Sequence, residues 1–73
     1  MPKLPRLSGR EVVKIFQHFS WVIVRQRGSH MILVKENHHA TLSVPDHKEV
    51  AQGTLRGLIR SAGLSVEAFL ENS

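Results

Sequence analysis

The sequence predicts an α+β protein, a two-layer sandwich with the order α-β-β-β-α and a short C-terminal helix. Three features predict it: apolar residues at helical spacing behind Ser8, three strand-like segments between positions 21 and 44, and a second helical stripe after position 53. Because tight turns join the strands, they form a three-stranded antiparallel meander. Helices gathered on one face of this sheet leave the other face free for a ligand or partner. We expect one domain, residues 1–73.

The first helix is predicted over residues 9–19. The Ser8 hydroxyl can accept from an early helical N–H while Glu11 reaches back to the Ser8 N–H, which is the capping-box pattern. Lys14 and His18 lie near the C-terminal end, where positive charge meets the helix dipole favourably, so we interpret His18 as structural. One face of the helix is apolar and carries Val12, Val13, Ile15, Phe16 and Phe19.

Three segments rich in β-branched, aromatic or alternating residues are the predicted strands, at residues 21–26, 30–35 and 40–44. Gly28 can supply a positive φ to the first turn, and Asn37 tolerates the left-handed region in the second. Pro45 cannot donate to a strand ladder, so we expect it to end the third strand.

Two further helices are predicted in the C-terminal part of the chain. The first spans residues 53–62, and Gly63 is well placed as the residue that ends it in the left-handed conformation. Ser65 is the predicted N-cap of a short last helix over residues 66–71. The apolar stripe of the longer helix consists of Leu55, Leu58, Ile59 and Ala62.

Charge is distributed unevenly along the chain. Residues 1–35 carry seven basic side chains and one acidic one, whereas residues 36–73 carry three basic and five acidic ones, which together give the net charge of +4. A basic half fits a polyanionic partner, although a solvated surface accounts for a charge of this size equally well. The chain has no cysteine, no apolar run long enough for a membrane helix and no signal-peptide pattern, so we expect a cytoplasmic protein.

His30 is the residue around which we expect chemistry. It follows the turn that contains Gly28 and Ser29 and opens the second predicted strand. RNA carries its own nucleophile, the 2′-hydroxyl, so cleavage needs a base or acid, charge stabilisation and geometry. A histidine titrates near neutrality and can act as that base or acid. Ser29 can hydrogen-bond a phosphate oxygen, and the cations available to stabilise the phosphorane are Arg25, Arg27 and Lys35.

Two further groups of residues are candidates for the same chemistry. His47 and Lys48 follow the third strand, which lies beside the second in a meander, so His47 can serve as a second acid or base or as a phosphate contact, and Asp46 can pair with Lys48 or another nearby group. Arg56 and Arg60 are four residues apart on the predicted second helix, and that spacing can follow a phosphate backbone. Arg56 and Arg60 also have a purely structural interpretation, as residues on the solvated face of a helix near its start.

A functional role can also be considered for three further residues, Trp21, His38 and His39. Trp21 can stack on a base, but a tryptophan at a strand start is more often a core residue. Adjacent histidines in a turn rarely point at one ion, and no cysteine or obvious carboxylate accompanies them, so we expect no metal site.

In combination these residues resemble the HicA, or YcfA/HicA, family of toxins from toxin–antitoxin systems. The stretches that carry the resemblance are residues 8–13, 24–30, 44–49 and 53–65. The resemblance implies a double-stranded-RNA-binding-like fold and a small mRNA interferase that cleaves RNA without metal or cofactor. It also implies that His30 is the catalytic histidine and that a HicB antitoxin covers the active surface.

We therefore carry three functional hypotheses from the sequence. The first is a metal-independent endoribonuclease toxin with His30 as general acid or base. The second is a non-catalytic RNA-binding module, which a basic half and a double-stranded-RNA-binding-like fold would support without chemistry. The third is an inactive toxin homologue that only binds an antitoxin. Intact RNA at the end of a binding assay distinguishes the last two from the first.

Overall fold

The computed structural model of the chain describes residues 3–73 and confirms the predicted α+β architecture. Residues 1 and 2 of the predicted domain lie outside the described residues. The three strands form one antiparallel sheet in the order β1-β2-β3. The elements are α1 (Gly9–Gln17), β1 (Val22–Arg27), β2 (His30–Val34), β3 (Leu42–Pro45), α2 (Gln52–Ser61) and α3 (Val66–Leu70).

Helix α1 begins with the predicted capping box. The Glu11 N–H donates to the Ser8 hydroxyl at 3.1 Å, and the Ser8 N–H donates to the Glu11 carboxylate at 2.8 Å. The helix ends at Gln17, two residues earlier than predicted. Residues 18–20 form a turn instead, and Ser20 adopts a φ of 73°. This reversal returns the chain to the core at Trp21, and periodicity alone does not reveal it because Phe19 continues the apolar pattern.

The strands differ from their predicted bounds by one or two residues. β1 begins and ends one residue later, and β2 ends at Val34. β3 begins at Leu42 and includes Pro45, which pairs with His30. Pro45 therefore ends the third strand as expected, but as its last residue, one position beyond the predicted bound. A proline fits a strand's terminal position because the missing N–H is not needed there.

The C-terminal helices have the predicted order and similar bounds. α2 begins at Gln52, one residue before the prediction, and its N-cap Ala51 provides no side-chain hydrogen bond. Gly63 has the expected positive φ, at 75°, and ends this helix. The Ser65 hydroxyl accepts from the Ala68 N–H at 3.0 Å and so caps α3 as predicted. Within residues 3–73, no helix has the length and apolar character needed to cross a membrane.

The core lies between the sheet and the helices. Phe16 of α1 contacts Phe69 of α3 and the edge of Trp21, with ring centroids 5.2 and 6.4 Å apart. Trp21 is 1% exposed, which confirms it as a core residue and rules out stacking on a base in this fold. His38 is structural, because its ring packs 4.9 Å from Trp21 and its Nδ1 accepts from the Ala40 N–H.

Candidate functional site

The β1–β2 turn presents His30 as the first residue of β2. Arg27 is paired with His30 across the hairpin, and Gly28 between them has a φ of +58°. A Cβ at Gly28 would meet no atom within 4 Å, so the backbone conformation, and not crowding, favours glycine there. The Gln26 side chain donates to the Gly28 carbonyl at 3.3 Å. A side chain of β1 itself therefore stabilises the turn.

The end of β3 lies directly beside this turn. His30 pairs with Pro45, and the Asp46 N–H donates to the Ser29 carbonyl at 2.6 Å. The two histidine-containing segments, residues 28–30 and 44–48, therefore meet in space as the meander predicted. His47 is exposed, one residue beyond this contact, and its carbonyl accepts from the Gly9 N–H at 2.9 Å.

The beginning of α1 completes this corner of the molecule. A Cβ on Gly9 would overlap the Pro45 carbonyl oxygen, so the helix approaches β3 more closely than any larger residue would allow. Arg10 Nε lies 3.3 Å from Asp46 Oδ1. Sequence reasoning missed Arg10. The available signal was a basic residue in a first helical turn, where the helix dipole disfavours positive charge and a carboxylate partner is therefore helpful.

The strand register assigns the candidate residues to the two faces of the sheet. Residues paired directly across an antiparallel ladder project from the same face. Met31 and Leu33 belong to the core on the helix side, so His30 and its partner Arg27 lie on the opposite, open face. Arg25, paired with Ile32, shares that face. Arg25, Arg27 and His30 thus form an exposed cationic surface, which we call the histidine face.

The remaining predicted RNA-binding residues lie away from His30. Lys35 follows the far end of β2, roughly 16 Å along the strand at ~3.3 Å per residue. Arg56 and Arg60 project from α2 and line a cleft with Leu64 and Val66 near α3. Lys48 is exposed in the loop between β3 and α2. Only part of the predicted set is therefore adjacent to the histidine.

The site offers proton transfer and charge stabilisation. His30 is exposed, so its imidazole is accessible to a phosphodiester, and the two arginines on its face are suited to phosphate oxygens. Within residues 3–73, no three histidine, aspartate or glutamate side chains converge as a metal site would require. The fold and site thus define a small α+β protein with a basic, histidine-bearing sheet face.

Comparison with known proteins identifies the family. The family model for the HicA toxin of bacterial toxin–antitoxin systems matches residues 9–64, and the chain belongs to that family. Among solved structures, it is similar to a chain of a toxin–antitoxin complex from Streptococcus pneumoniae, with 29% sequence identity and a TM-score of 0.71. That match covers 80% of this chain and 98% of the other. Comparison with the curated proteins finds no match.

Proposed function

We propose that this HicA-family toxin is a metal-independent endoribonuclease, an mRNA interferase, that uses His30 as general acid or base. The observation that carries the proposal is the pairing of His30 with Arg27 on an exposed sheet face that also holds Arg25. An exposed imidazole flanked by two guanidinium groups combines proton transfer with stabilisation of phosphate charge.

In the proposed reaction, the RNA 2′-oxygen attacks the adjacent phosphorus and the bond to the 5′-oxygen breaks. His30 either accepts the proton of the 2′-hydroxyl or donates a proton to the departing 5′-oxygen. The products are a 2′,3′-cyclic phosphate and a 5′-hydroxyl. Arg25 and Arg27 stabilise the charge that develops on the phosphorane. Ser29 is a supporting candidate for phosphate binding. His47, which follows Asp46, is a candidate for phosphate binding or for the second proton transfer.

We also propose that a HicB-like antitoxin inhibits the toxin by covering the histidine face. The solved relative was determined as a toxin–antitoxin complex, and membership of a toxin family supports the same kind of partner here. Cytoplasmic mRNA as the substrate belongs to the same proposal. An antitoxin complex with RNA-accessible His30 would contradict inhibition by coverage.

Induced expression of wild type and His30→Ala tests the proposal. We expect growth arrest with cleaved transcripts for wild type, and a loss of about 10²- to 10⁴-fold in cleavage rate for His30→Ala. His39→Ala is the matched control, because His39 is exposed in the β2–β3 connection and outside the site. Circular dichroism verifies that the variants fold. A folded His30→Ala protein that cleaves RNA at the wild-type rate would contradict the assignment.

The same assay separates the alternative in which the histidine face only binds RNA. That alternative is favoured by one observation, the exposure of Arg25 and Arg27 on an uncovered sheet face. It predicts salt-dependent RNA binding with intact RNA for wild type and for His30→Ala alike. Cleavage products from purified wild type, absent from His30→Ala, would exclude it.

A further inference from the structure

β1 is an edge strand that the helices leave uncovered. It pairs with β2 on one side, and all six of its residues are exposed. Val22, Ile23 and Val24 are exposed by 52%, 45% and 49%. A strand with free backbone groups on one side and exposed aliphatic side chains is suited to pairing with another strand.

A groove lies beside this edge, between β1 and α1. Its volume is about 310 Å³. Val13 of α1, Ile23 of β1 and Met31 of β2 are its apolar residues, so it can accept apolar side chains from an added strand. Its polar residues are Arg10, Lys14, Gln17, Gln26 and Asp46.

Positive charge surrounds the edge on both sides. Lys14 borders the groove, whereas Arg25 and Arg27 lie on the open sheet face. The Asp46 carboxylate beside the groove is already engaged by Arg10. An added strand would therefore meet apolar surface and Lys14 on one face and two arginines on the other. An extended segment that alternates apolar and acidic residues matches this pattern.

The same features disfavour a second copy of this chain. Two β1 edges placed together would bring Arg25 and Arg27 of both copies close to one another, and like charges across paired strands are destabilising. RNA bound at this edge would not bury the aliphatic side chains of Val22, Ile23 and Val24.

We propose that the β1 edge and the α1/β1 groove bind an extended acidic segment of a partner protein, which adds to the sheet as a fourth strand. Its apolar side chains enter the groove beside Ile23 and Val13, and its acidic side chains face Arg25 and Arg27. The assignment of this partner as the inhibitory antitoxin rests on the proposed function. A strand bound there would lie beside the hairpin that carries His30.

The probe for this proposal is a synthetic peptide of about eight residues that alternates glutamate with valine, and its control replaces glutamate with lysine. We expect the glutamate peptide to bind and to slow amide hydrogen exchange along β1. The double variant Ile23→Thr/Val24→Thr should weaken binding about tenfold, because it removes apolar contact while keeping β-branched residues. Lys14→Glu should also weaken it, whereas Lys3→Glu, on another surface, should not.

Several outcomes would overturn the proposal. They are absence of binding, binding without slowed exchange in β1, and equal binding of the lysine peptide. Slowed exchange that grows with protein concentration alone would assign the edge to a second copy. Failure of the ribonuclease proposal can be distinguished from failure of this one, because the first is measured by RNA cleavage and the second by peptide binding. His30→Ala should bind the peptide as wild type does.

Discussion

Ser8 and Glu11 show how a pair of residues determines where this chain first becomes helical. Each side chain hydrogen-bonds the backbone N–H of the other. The hydrogen bond from the Ser8 backbone N–H, followed by that from its hydroxyl, lowers the pKa of the Glu11 carboxyl. The charged form of Glu11 is therefore favoured in the folded protein, and this links the start of α1 to pH.

Glu11→Gln should make the pH dependence of stability smaller. Because the folded-state pKa of Glu11 is lowered, its ionisation stabilises the fold above the ordinary glutamate range and ceases to do so as pH falls through the folded-state value. The variant keeps an oxygen that can accept from the Ser8 N–H but lacks the charge. Urea unfolding should show wild type more stable near neutrality and the two proteins converging in acid. A difference that stays constant across this range would contradict the linkage.

α1 and β3 are in contact next to the turn that carries His30. Gly9 touches Pro45, and the next residue, Arg10, pairs with Asp46. The contact is at the beginning of the helix and at the end of the strand, next to the turn that holds His30. The helix position and the hairpin position are therefore coupled through residues 45–47.

Gly9→Ala should destabilise the protein, although alanine is the better helix former. The added methyl group would overlap the Pro45 carbonyl oxygen, so helix and strand must separate, at a cost of about 1–3 kcal/mol in the free energy of unfolding. The matched control is Gly57→Ala in α2, where a Cβ meets nothing within 4 Å. That change should stabilise by about 0.5–1 kcal/mol. Thermal and urea unfolding measure both, and equal effects would refute the close approach.

The whole molecule keeps its helices on one side of the sheet and its histidine face on the other. Positive residues nevertheless occur on several surfaces, among them Lys35 beyond the far end of β2 and Arg60 on α2. If RNA binds on the histidine face, only the cations of that face should contribute strongly to binding.

Arg25→Ala and Arg27→Ala, each made in a His30→Ala background so that RNA stays intact, should weaken RNA binding. For a single strand, each lost phosphate contact should reduce the slope of log affinity against log salt by about 0.7. Arg60→Ala, which removes the same charge from α2, should change the slope little. Fluorescence anisotropy with a labelled oligonucleotide measures all three. A larger loss for Arg60→Ala would move the RNA-binding surface to the α2 side.

Short-range chemistry determined much of this fold from the sequence alone. Ser8, Gly28 and Gly63 act as predicted because a cap or a positive φ depends on a few neighbouring residues. Strand alternation in residues 42–44 likewise appears as buried and exposed positions. The sequence also predicted that the segments containing His30 and His47 lie close together, because a meander places the second and third strands side by side.

Only the tertiary structure decided which of these residues meet. The Arg10–Asp46 pair joins residues 36 positions apart, and the contact of Gly9 with Pro45 depends on how α1 packs against β3. Strand register assigned Arg25 and Arg27 to the face of His30, whereas strand length separated Lys35 from it. The exposure of β1 likewise depends on where the helices stop covering the sheet. Such long-range positions follow from packing between elements, which local propensity does not encode.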